Sequence, residues 1–219
     1  MTKEEIINRV RDELDDNGIS YYSTADLNDS FDDGYNEVVL FSRPLEKMMT
    51  VDLADDTVYY NLYEETYDFF HVFAIWSTSS KSWLLNKDVS YFKEIRWDWE
   101  LATGNPDGFA VINFQYIGLF PHPATPTSTD QMEIFYKANA MPLTNQESPG
   151  FPEQYQIVLQ YYCMKDLLEQ AEEISKASIY AAKYQDALSV LERYVNSRTF
   201  PDRINILREQ FSGGSFYGR

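Results

Sequence analysis

Apolar residues recur at helical spacing near both ends of this chain and in short strand-like runs between them. That order limits the fold to helices from the two termini packed together, with a β section inserted between them. Thr2-Lys3-Glu4-Glu5 has the form of a capping box, and Ile6, Ile7, Val10 and Leu14 follow at helical spacing, predicting a helix over 3–15 that stops at Asn17-Gly18. Ser23 or Thr24 can cap a second helix in which Leu27, Phe31, Tyr35, Val38 and Val39 share a face, reaching residue 41 before Pro44. From there the pattern changes to β-rich runs at 48–53, 57–63, 69–77, 82–85, 97–101, 109–114, 116–120 and 131–136, with a short helix over 89–96. After Pro149-Gly150-Phe151-Pro152 the helical period returns, in one helix through Tyr155, Val158, Leu159, Tyr162, Cys163, Leu167 and Ala171. A second carries Ile179, Ala182, Ala187, Leu188, Leu191 and Val195.

The expected fold class is α+β: a helical bundle from the N- and C-terminal helices, an inserted antiparallel β domain and an extended C-terminal arm. The segments are 1–43, 44–148, 149–200 and 201–219. A chain of 219 residues with 44% hydrophobic content can bury a core, so disorder throughout is excluded. The single cysteine, Cys163, has no partner for an intramolecular disulfide, and His71 and His122 are too few for a His/Cys zinc site within one chain. No cofactor is expected. There is no apolar run near the ~18–20 residues that span a bilayer, and the acidic N-terminus is unlike a signal peptide, so the expectation is a cytosolic start without membrane contact.

Charge is distributed unevenly. Residues 1–68 hold 18 Asp/Glu against 5 Lys/Arg, out of 35 and 18 in the whole chain, and the net charge is −17. Such a field repels a phosphate backbone and argues against tight wrapping of DNA, while it suits a surface that DNA slides past.

Two constellations invite a chemical reading. The run Asp26 to Glu37 resembles a calcium loop, but starting at Asp26 puts Phe31 at the sixth position, where a sharp turn needs glycine, and starting at Asp29 puts Phe31 and Leu40 at ligand positions. A helix with a solvated acidic face accounts for it better. Trp97-Asp98-Trp99-Glu100 pairs aromatics with carboxylates, as a glycan-binding or glycan-hydrolysing module does. As a strand, however, it places both Trp on one face and both carboxylates on the other, which a half-buried strand needs without any function. His71 lies in an apolar run as a core or edge histidine, and His122 sits in a loop between two prolines. Gly-rich phosphate loops and a nucleophile elbow are absent from the sequence. The reading is of a protein that is not an enzyme.

The order of motifs resembles one family. Glu4 to Arg11 in the first helix, Asn36-Glu37 late in the second, Gly104-Asn105-Pro106 before an aromatic strand pair, and Pro121-His122-Pro123 carry the likeness. So do Glu133 to Tyr136, Ala140 to Leu143 and Phe151 to Tyr155 at the start of the third helix. Together they resemble the head-to-tail adaptor, or connector, proteins of tailed bacteriophages, particularly short-tailed ones. The likeness does not extend over 48–99.

The resemblance implies a virion structural protein, assembled in the host cytoplasm, that forms a ring of about twelve copies beneath the portal protein. The ring extends the DNA channel, lets DNA pass without specific binding, and offers a platform to downstream tail or nozzle proteins. It also implies a portal-gripping C-terminal segment, here 202–219, with Phe211, Phe216 and Tyr217 as aromatic anchors and Arg203, Arg208 and Arg219 as charge partners. Asp26, Asp29, Asp32 and Asp33 are candidates for an acidic face lining the channel. Two other readings are compatible with parts of the chain: the carbohydrate module centred on 97–100, and an acidic interaction protein or DNA mimic.

Overall fold

A computed structural model of the chain describes residues 1–14, 21–113 and 115–198. They form an α+β protein that divides into two compact units, one made of residues 1–45 and 139–198, the other of residues 46–138.

The first unit is helical. Helix α1 (Lys3–Glu13) starts at Thr2, whose hydroxyl accepts the Glu5 N–H while the Glu5 carboxylate accepts the Thr2 N–H. Helix α2 (Thr24–Ser42) starts in the same way with Ser23 and Asp26, and ends on Arg43 in the left-handed conformation before Pro44. These reciprocal caps satisfy donors that a helix start would otherwise leave open. Helices α5 (Ile157–Gln170) and α6 (Ile174–Arg198) form a hairpin. Its turn is closed by the Glu173 N–H on Leu168 O, with Glu172 left-handed. Residues 139–148 belong to this unit, through backbone bonds from Lys3 N–H to Glu147 O and from Glu4 N–H to Asn145 O.

Gly34 sets how closely α2 approaches α5. A Cβ there would stand 2.5 Å from Tyr162 Cδ1 and 2.9 Å from Cγ, at the root of the ring, where side-chain rotation gives little relief. The Tyr162 ring meets Tyr184 of α6 edge-on, and the Tyr184 hydroxyl donates to Glu37 at 2.8 Å, so three helices converge on one glycine. Gly34→Ala is therefore expected to lower stability by about 2 kcal/mol, although alanine is intrinsically favoured in a helix by about 1 kcal/mol. Thermal unfolding checks this, and a variant as stable as wild type would count against the close approach.

The second unit contains two four-stranded sheets among the described residues. One is ordered β1-β8-β3-β4, from β1 (Glu46–Asp52), β3 (Phe69–Ser77), β4 (Ser82–Trp83) and β8 (Gln131–Ala138). The other is ordered β2-β7-β6-β5, from β2 (Tyr59–Asn61), β5 (Leu85–Asn86), β6 (Gly108–Ile112) and β7 (Tyr116–Phe120). Its β5–β6 pair is parallel, so the unit is not purely antiparallel as expected. The chain reaches β6 from β5 through α4 (Val89–Ile95), and such a crossover brings the strand back in the same direction. The run at 57–63 is strand only at its centre and continues into α3 (Leu62–Glu65). First strand pairs with last, Glu46 opposite Lys137, so the chain enters and leaves this unit side by side.

Residues 97–101, expected as a strand, form a turn followed by a 3-10 turn over Trp99–Leu101. Arg96 closes α4 and forms a two-pronged ion pair with Asp98, Nε to Oδ1 at 2.6 Å. This turn sends the two tryptophans apart: Trp99 is 1% exposed against Phe92 and Ala110, while Trp97 is 85% exposed.

Candidate functional site

Along α2 the candidate acidic residues differ in what holds them. Asp29 and Asp33 are exposed. Asp26 is exposed too but serves the helix cap, where hydrogen bonding with Ser23 holds its carboxyl below the usual range. Asp32 accepts from the Lys3 ammonium at 2.6 Å, and Lys3 itself is buried, with its Nζ 5.2 Å from the centre of the Phe31 ring. Residues 26–37 are helical throughout, which is the geometry their apolar spacing predicted. The six candidate anchors Arg203, Arg208, Phe211, Phe216, Tyr217 and Arg219 lie outside the described residues.

At the base of the β unit, where the chain enters and leaves, polar groups are concentrated. Asp68 is buried and accepts hydrogen bonds from Thr66 Oγ1 at 2.5 Å, from the Tyr136 hydroxyl at 3.0 Å and from the Lys47 ammonium. Burial pulls its pKa upward, but these three donors and the Lys47 charge outweigh it and hold the carboxyl below its usual range. Beside it Lys137 reaches Glu46 at 2.6 Å across the first strand pair. Lys47 and Glu46 lie on β1, and Tyr136 and Lys137 on β8, so the Lys137–Glu46 pair ties the two ends of the inserted segment together directly and Asp68 bridges them through Lys47 and Tyr136. Sequence reading passed over this cluster because Asp68 is separated from Tyr136 by 68 residues.

The carboxylates of the 97–100 motif do not share a site. Asp98 is held by Arg96, whose hydrogen bonds and charge lower its pKa. Glu100 accepts from the Tyr59 hydroxyl, whose pKa is pushed up to about 12 by burial and then by Glu100. His122 is buried beside the Gly104 turn: Gly104 N–H donates to His122 O and His122 N–H to Ala102 O, both at 2.9 Å. His71 is exposed on β3 opposite Lys137.

Sequence reading also missed a group of exposed aromatic and aliphatic side chains. Tyr67 is 88% exposed and Leu101 and Trp97 stand out in the same unit, while Tyr21, Phe41 and Ile174 do so in the helical unit. Large exposed apolar groups of this kind mark contact surfaces more often than reactive ones. Among the described residues, no three His, Cys, Asp or Glu side chains come together as a metal site. No described helix is long and apolar enough to cross a membrane.

The described residues thus form a helical unit split by a β insertion whose ends are clamped, with bulky apolar side chains exposed in both units. The family described as SU10 adaptor protein matches residues 1–205, and the chain belongs to that family. It is accordingly a phage head-to-tail adaptor, a virion structural component, in a family of structural proteins rather than a known class of enzymes. No curated protein matches the chain.

Proposed function

We propose that this protein assembles into a closed ring of about twelve copies beneath the portal, extends the DNA channel and carries the downstream tail or nozzle proteins. The observation that supports this reading is the family match over residues 1–205. In the ring the acidic face of α2 lines the channel, with Asp29 and Asp33 presented to the DNA, Asp32 tied to Lys3 and Asp26 in its cap. Like charge along the channel keeps the genome from adhering as it is packaged and ejected. Residues 202–219 grip the portal through Phe211, Phe216 and Tyr217, with Arg203, Arg208 and Arg219 as charge partners. Large aromatic side chains on a Gly/Ser-rich segment suit grooves formed by a partner. Assembly takes place in the host cytoplasm before the particle is complete.

Electron microscopy of the protein mixed with its portal, and of particles that contain it, tests the ring. The expected result is a ring stacked coaxially on the portal. A chain that stays monomeric, never joins a portal and is missing from virions would overturn the reading. Truncation after Pro201 should leave a folded protein, with a cooperative thermal transition, that no longer co-purifies with the portal.

A further inference from the structure

Two sheet edges face one cavity in the β unit. β1 is the edge of one sheet and β2 the edge of the other. The Leu53 N–H donates to Asp130 O, and antiparallel pairs alternate between bonded and non-bonded positions, so Val51 and Met49 bond to β8. The N–H and C=O groups of Met48, Thr50 and Asp52 therefore point away from β8. On the other edge Leu62 N–H donates to Gln115 O and Leu119 N–H to Val58 O, so the same alternation turns the groups of Tyr59 away from β7, while the Asn61 carbonyl, at the N-cap of α3, starts that helix. A cavity of about 340 Å³ lies here, lined by Thr50, Asp52, Tyr59 and Asn61 among others. The outward row of donors and acceptors on β1, beside a groove, is a template for a further strand.

The side chains of the groove define what such a strand carries. Its lining includes Asp52, Glu64 and Glu65 and no Lys or Arg. Asp52 accepts from the Gln131 amide at 2.7 Å and Glu64 from the Asn61 amide at 2.9 Å, both neutral donors that leave the negative charge uncompensated. An incoming segment with Lys or Arg at alternate positions would meet these carboxylates while its backbone completes β1.

We propose that this groove holds an extended, Lys/Arg-bearing segment of a downstream tail protein, added as a strand to β1. The assignment rests on the adaptor reading, which supplies the tail protein as partner.

A photo-crosslinking amino acid placed at Thr50 and irradiated in assembled particles identifies what lies on the edge. The expected product joins this chain to a tail protein. An adduct with a neighbouring copy, with this chain's own residues 202–219, or none at all, overturns the groove assignment and leaves the adaptor reading intact. Absence of the wild-type chain from particles overturns the adaptor reading, and the groove assignment with it. The second arm uses Thr50→Pro, which removes an N–H that the sheet does not use and is the kind of edge position where proline is tolerated. It should keep the wild-type melting temperature and ring while tail-protein incorporation falls at least tenfold. Incorporation at the wild-type level overturns the proposal. If Thr50→Pro fails to fold, Glu64→Gln with Glu65→Gln is read by the same measure, with the same tenfold loss expected.

Discussion

Trp99→Ala should lower the stability of the β unit by about 3–5 kcal/mol, whereas Trp97→Ala, two residues away, should stay within about 0.5 kcal/mol of wild type. The Trp99 ring packs on Phe92 with centroids 5.7 Å apart and meets Tyr59 edge-on at 6.1 Å. The neighbouring strands accommodate it with glycine: a Cβ at Gly118 would stand 3.0 Å from the Trp99 ring, and one at Gly108 3.0 Å from the ring of Phe92. Removing the indole leaves a cavity that rigid strands cannot close, so the cost is the lost transfer energy plus the void. Trp97 is mostly in solvent and has little packing to lose. Chemical denaturation of the three proteins side by side checks the contrast. Equal effects at the two positions would show that they are equivalent, as a strand would make them.

Asp68→Ala should cost about 2–4 kcal/mol, the second-largest effect, because it removes the carboxylate that the buried Tyr136 hydroxyl and Thr66 donate to and leaves Lys47 without its partner. Asp68→Asn keeps an acceptor and the volume, and should cost about half as much. The carboxyl's pKa is depressed in the folded state, so its contribution is present above the unfolded value and is lost as pH falls through the folded one. The wild-type advantage over Asp68→Asn should therefore be constant near neutral pH and shrink below about pH 4. Melting temperatures measured from pH 7 to pH 2 test this. A gap that widens in acid would show that the carboxylate is not the stabilising form.

Much of the local structure was legible because it is driven by neighbours in sequence. The box Thr2 to Glu5, the apolar face through Leu27, Phe31 and Tyr35, and the run Phe69 to Ser77 all set their own conformation. The 97–100 motif was misread for the opposite reason. Its alternation is compatible with a strand, but the Arg96–Asp98 pair turns the chain, so Trp99 packs against Gly118 in the core and Trp97 stays in solvent. The split into two sheets was hidden as well, since β1, the β3–β4 pair and β8 of one sheet are separated along the chain by strands of the other. Exposed residues such as Tyr67 and Trp97 could not be told from core aromatics by composition, because burial depends on what the rest of the chain leaves uncovered.

By itself, the sequence determined the two helical ends, the inserted β section, the acidic front half and, through the order of its motifs, the adaptor family. These follow from hydrophobic period, caps, turn residues and charge, all of which act over a few residues or sum over many. Only the tertiary structure decided which tryptophan is core, which carboxylate clamps the insertion and which two strand edges face one groove. Each of these depends on residues far apart in the chain, and their pairing is set by long-range packing that no local pattern encodes.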